Sequence, residues 1–201
     1  MALKVVLGKL IAPMKYLGIF HAEKMWFDYI LPLICAALFT IGYYFLPKPF
    51  PLTGTSGLIG QVNGLLQVLI GFYIASLAAV ATFQGQGMDG FMEGSPPTMN
   101  EKRKGVTKEV YLSRRRFLSY LFGYLALMSL AVFFIGVIVN LTSESIFTWT
   151  KALSYTSYIK VVSLFVYMFF ICNIFITTLL GLYYLTVKIH QKKGEIHPPS
   201  E

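Results

Sequence analysis

Hydrophobic residues run along this chain in four long uncharged stretches, at residues 29–46, 57–83, 117–143 and 161–187, and most of the charge falls between them. A helix needs about 20 residues to cross about 30 Å of hydrocarbon, so each stretch reads as a span, with some tilt or fraying. The first is extended backwards by Met25, Trp26 and Phe27 at the interface, tolerates Pro32 in its opening turn, and is stopped by Pro47, Pro49 and Pro51. The link over 47–56 is too short for a domain, so spans one and two form an antiparallel hairpin. The pattern predicts an all-α polytopic membrane protein with four transmembrane helices at about 27–46, 57–83, 117–140 and 161–187. They lie in a transmembrane domain over 25–187, with a loop over 84–116 and a tail over 188–201.

Composition agrees: 56% of the 201 residues are hydrophobic, 13% are charged, and the mean hydropathy is +0.63. That excludes an ordinary soluble enzyme. Positive loops are retained in the cytoplasm, which fixes the threading. Fourteen of the 17 Lys and Arg fall on one side: four in the amino-terminal flank, seven in the middle loop and three in the tail. Only Lys48, Lys151 and Lys160 fall on the other, so both termini and the loop are expected in the cytoplasm, across a cell inner membrane. Residues 1–24 mix Lys4, Lys9, Lys15 and Lys24 with Val, Leu, Ile and Phe. The lysines interrupt any signal-peptide core, and Gly8 and Pro13 break a span, so the segment is expected to lie on the inner leaflet with its lysines near anionic lipids.

Groups that could carry chemistry are few. Cys35 and Cys172 sit inside spans, where a thiol behaves as a small hydrophobe, and His21, His190 and His197 lack metal-ligand spacing. Asp28 at the mouth of the first span is the nearest to an intramembrane carboxylate, and it reads first as a charge at a helix amino terminus. No enzyme, cofactor or metal is expected.

The second span carries a pattern: Gly57, Gly60, Gly64, Gln67, Gly71, Ala75, Ala78 and Thr82 recur every three or four residues. In lipid, helices associate through close backbone contact at small residues and through side-chain hydrogen bonds, so this stripe is expected to pack against protein. Leu66 lies off it, and Gly64→Leu is expected to harm folding or assembly more than Leu66→Ala. Gly123 and Gly136 in the third span and Asn173 and Thr177 in the fourth repeat the device. Gln61, Asn63 and Gln67 read either as glue within one bundle or, in several copies, as a pore lining. In the loop, Asp89, Met92, Pro96 and Pro97 belong to an irregular Gly/Pro/Met stretch. Lys102, Arg103, Lys104, Arg114, Arg115 and Arg116 form a basic run that could be helical. The two stretches together are the expected partner or lipid surface, while direct nucleic-acid binding is not expected. Asn140-Leu141-Thr142 matches a glycosylation sequon at the bilayer edge.

Four spans, both ends on one side and a middle loop closing in Arg114, Arg115 and Arg116 together resemble KwaA, the family of small membrane subunits of the bacterial anti-phage defence system Kiwa. The resemblance implies an inner-membrane homo-oligomer, a tetramer, that senses phage attack and engages a cytoplasmic KwaB-like DNA-binding partner. No catalytic residue transfers. The expected function is a non-enzymatic scaffold and sensor, and the alternative is a small oligomeric channel or pore-forming effector.

Overall fold

The computed structural model describes residues 2–21, 24–54, 56–82, 88–91, 96–103, 106–152 and 156–188. Four helices are long and apolar enough to cross a membrane: Trp26–Phe45, Leu58–Thr82, Arg114–Leu141 and Ser157–Thr186. The chain begins with helix α1 (Ala2–Leu10), a 3₁₀ segment (Ala12–Gly18) and strand β1 (Ile19–Phe20). A π-helical turn (Trp26–Ile30) then runs into α2 (Leu31–Phe45), followed by α3 (Leu58–Thr82). Strands β2 (Thr98–Arg103) and β3 (Val106–Tyr111) precede α4 (Arg114–Leu141), α5 (Ser143–Ala152) and α6 (Thr156–Tyr183), and α6 ends in a second π turn (Tyr184–Lys188).

The spans pack as two pairs. α3 lies along α4 and α2 along α6, with a smaller contact between α4 and α6. The inward face of α3 carries Ile59, Asn63, Leu66, Tyr73, Ser76 and Val80, again at three- and four-residue spacing. Leu66, Tyr73 and Val80 join Leu118, Leu121, Phe122 and Leu125 of α4 and Ile174 of α6 in the main core. A smaller core, Ala36 with Leu164 and Met168, seals α2 to α6. The link between α2 and α3 is folded rather than slack: Pro51 and Leu52 carbonyls accept from the Leu58 and Ile59 N–H groups at 3.0 Å, which satisfies orphan donors of the helix start. Gly54 takes φ +94°, where a side chain is strained, and its N–H donates to Asn140 Oδ1 at 3.1 Å. The Asn140 amide thus anchors this link.

Two regions differ from the sequence expectation. Residues 98–111, expected as loop and then helix, form an antiparallel hairpin, and β1 pairs with its outer side to complete a three-stranded sheet in the order β1-β2-β3. Period-two alternation decides it: the row Ile19–Met99–Val110 turns inward, with Ile19 and Met99 buried, and the row Phe20–Thr98–Tyr111 turns outward. The amino-terminal segment is only partly free. Tyr16 is fully buried against α4, so residues 12–20 form a strap belonging to the core, whereas α1 exposes Lys4 to Leu10 on every side. Helix α5, which lies outside the four predicted spans, sits between α4 and α6 at the end remote from the sheet and exposes Ile146, Phe147 and Trp149.

Candidate functional site

The first span starts with an irregularity that its sequence explains. Pro32 has no N–H to close on the carbonyl of Asp28 four residues earlier, and its ring crowds that carbonyl. The backbone widens into the π turn, in which Leu31 N–H reaches back five residues to Trp26 O. The freed Asp28 carbonyl is taken up by another span: Asn173 Nδ2 of α6 donates to it at 2.7 Å. Asn173 Oδ1 in turn accepts from Tyr124 Oη of α4 at 2.8 Å.

The Asp28 side chain, 0% exposed, is held on both oxygens. Tyr16 Oη donates to Oδ1 at 2.9 Å, and Lys24 Nζ, one helical turn earlier, lies 2.5 Å from Oδ2. Lys24 also sits 4.4 Å above the Tyr16 ring, which stacks on Tyr124 with centroids 4.8 Å apart. Burial, and then the charge and hydrogen bond of Asp28, push the Tyr16 phenol above its ordinary range, so it remains a donor. One buried ion pair therefore ties together the strap, the first span, α4 and α6. Sequence reasoning singles out Asp28 and Asn173 separately; Tyr16 and Tyr124 escape it, because an aromatic residue among apolar neighbours carries no sign of a distant carboxylate. A second bond crosses between the helix pairs, where the Tyr73 and Thr178 hydroxyls meet at 2.5 Å.

The small-residue stripe divides. Gly57 lies in the link, where a Cβ would collide with the Thr53 carbonyl, and a Cβ at Gly123 would meet Pro13 of the strap at 3.5 Å. Gly136 lies under Asn63: a Cβ there would come 2.5 Å from Oδ1 and 2.9 Å from Nδ2. Asn63 is thus packed within the protomer against α4. At Gly64 and Gly71, by contrast, an added Cβ would meet no atom within 4 Å, and Gln61, Gln67, Ala75, Ala78 and Thr82 are exposed beside them. Gly60 is half-buried at the edge of an open cleft shared with Gly54, Asn63, Asn140 and Leu141. The exposed stripe is one residue, about 100°, around α3 from the face that enters the core.

The expected partner surface also divides. Arg114 is buried, Arg116 pairs with Glu101 of β2, and Arg115 holds Asp89 at 2.8 Å while donating to the Val80 and Ala81 carbonyls at the end of α3. Arg115 and Arg116 thus tie the ends of α3 and α4 to the loop and the sheet, and Arg114, being buried, is no part of the expected partner or lipid surface. The hydrogen bond from Arg115 keeps the Asp89 carboxyl below the usual carboxylate range. Arg115→Ala is expected to raise hydrogen exchange at residues 79–82 and leave exchange at 64–72 unchanged. Pro97 is buried and Pro96 half-buried, while Met92 and Lys104 lie outside the described residues. Lys102 and Arg103 are the last two residues of β2. The outward row presents Phe20 and Tyr111, 61% and 59% exposed, with the exposed Phe91 edge-on to Tyr111 at 6.3 Å.

Among the described residues no three His, Cys, Asp or Glu come together as a metal-ligand set. No protein-family model matches this chain, and neither a curated protein nor a solved structure does.

Proposed function

We propose that this chain is a non-enzymatic scaffold and sensor subunit that assembles with copies of itself in a membrane and recruits a soluble partner at its sheet end. The observation that carries the reading is the exposed face of α3. Gly64 and Gly71 allow another backbone to approach, and Gln67 places an amide at mid-span, where hydrocarbon offers it no hydrogen bond. A second copy of the chain covers such a face. The Lys and Arg distribution puts the sheet end in the cytoplasm, across an inner membrane. There α1, with Val5, Val6, Leu7 and Leu10 exposed beside Lys4 and Lys9, rests on anionic lipid. The resemblance to KwaA extends this reading to a tetramer in anti-phage defence with a DNA-binding partner.

Mass measurement in mild detergent and in nanodiscs tests the assembly: the wild type is expected to exceed 22.6 kDa several-fold. Gly64→Leu, whose Cβ would meet no atom of the protomer within 4 Å, is expected to reduce that mass to one chain with the fold intact. An unchanged mass would move the interface elsewhere. For the partner, the outward aromatic row supplies apolar contact and the basic sequence Lys102-Arg103-Lys104 supplies steering toward an acidic surface. Reversing those three to Glu is expected to weaken co-purification of the soluble partner while protease accessibility shows the loop still inside, held by Arg114, Arg115 and Arg116. Recruitment at the wild-type level would exclude the hairpin as the docking site.

A channel is the second reading, favoured by Gln61 and Gln67 on the exposed face of α3. Several copies meeting there would surround an axis with amides. Current across planar bilayers, altered by Gln67→Leu without loss of assembly, is its signature, and silence at every protein density removes it.

A further inference from the structure

The buried cluster around Asp28 takes no part in the assembly or docking proposed above, yet it joins the first span and α6 to the strap that leads into the sheet. Asp28 receives α6 through its main chain, by way of Asn173, and receives the strap through its side chain, by way of Tyr16. The strap continues without a break into β1, where Ile19 and Phe20 pair with Met99 and Thr98. Two residue pairs are a weak hold, whereas the β2–β3 hairpin has six. Besides the burial of Tyr16 and Ile19 in the main core, the strap is held by the Tyr16 hydroxyl on Asp28, the Tyr16–Tyr124 stack and Pro13 lying close to Gly123.

We propose that the strap is a mechanical link, through which a displacement of the first span against α6 is passed to the sheet. The main-chain carbonyl and the carboxylate of Asp28 belong to one residue of the π turn, so a rotation that moves one group moves the other. If α6 draws Asn173 away, the Asp28 carbonyl loses its partner on that span, the peptide at Asp28 is free to reorient, and the carboxylate moves relative to Tyr16. A buried carboxylate holds its donors strongly, so the strap follows it or lets go. Either response shifts or frees β1, and with it Phe20, one of the three exposed aromatic residues at the outward face of the sheet. The consequence for recruitment rests on the docking role proposed above for the sheet, but the link itself does not.

Hydrogen exchange on the full chain in nanodiscs of phosphatidylethanolamine and phosphatidylglycerol tests the link, and co-purification separately tests the docking. Tyr16→Phe keeps the ring stack and deletes the hydroxyl; it is expected to speed exchange over residues 12–20 about tenfold, with the hairpin unchanged. The deciding variant is Asn173→Leu, which lies on α6 and bonds to neither strap nor sheet. It is expected to produce the same rise over 12–20. Tyr124→Phe removes only the hydroxyl that donates to Asn173, and it gives the same test should Asn173→Leu not fold. Strap exchange at the wild-type rate in Asn173→Leu or Tyr124→Phe would overturn the proposal. So would a rise spread equally over all four spans, which would mark general loosening. Loss of recruitment with strap exchange unaltered would count against the link as well, whereas fast strap exchange with full recruitment would sink only the docking reading.

Discussion

Asp28→Asn is expected to destabilise the folded protein by about 3–5 kcal/mol, since it leaves the Lys24 ammonium buried without a counter-charge. Lys24 is 7% exposed and, among the described residues, its charge is otherwise met by the face of the Tyr16 ring. The amide retains an oxygen for Tyr16, so the loss isolates the charge from the hydrogen bond. Replacing both partners, Lys24→Met with Asp28→Asn, is expected to recover most of the stability, because removing a buried pair whole avoids the orphan charge. Unfolding in mixed micelles, followed by circular dichroism, measures both variants. A single variant as stable as the wild type would show that Lys24 reaches water without Asp28.

The second large effect is a contrast between two glycines. Gly136→Val forces a side chain into the space of the Asn63 amide, and overpacking of this kind costs about 1–3 kcal/mol or drives the helices apart. Both α3 and α4 are helical on either side of the contact, so neither backbone yields easily. Gly64→Leu adds a side chain on the exposed face, where its Cβ would meet no atom within 4 Å, and protomer stability is expected to stay at the wild-type value. Leu66, 2% exposed, reverses its expected standing as a tolerant control: Leu66→Ala opens the main core and is expected to cost about 2–5 kcal/mol. The same unfolding assay ranks the three. Tolerance of Gly136→Val would mean that Asn63 can swing clear into the neighbouring cleft.

These residues also mark where the sequence was legible. The four spans could be found because a long uncharged run measures helix length against bilayer thickness, whichever way its side chains point. Which face points inward could not be found that way. Lipid is as apolar as a helix core, so Leu66 and Val68 read alike, although one is 2% and the other 70% exposed. The Asp28 cluster was hidden for a different reason: Lys24 is one helical turn away, but Tyr16 and Asn173 lie 12 and 145 residues away along the chain, and no local pattern joins those two to Asp28. The hairpin, however, had left a trace. Val106, Thr107, Val110 and Tyr111 favour strands, and Lys104-Gly105 is a turn pair between two short runs; the concentration of charge drew attention from it.

Helix α4 has 28 residues, about 42 Å, against about 30 Å of hydrocarbon. Its first turns and the end of α3, locked to each other by Arg115, stand on the sheet side as a stiff pedestal, and β3 enters α4 after only two residues. The sheet is consequently carried at a set height and angle, unlike a domain tethered by a flexible linker. In an assembly joined through α3, neighbouring sheets become a rigid multivalent array. A partner that is itself oligomeric, with matching spacing, would gain avidity from every added contact, because each after the first is intramolecular. A partner with a different spacing would engage one sheet at a time, and the array itself would select between them.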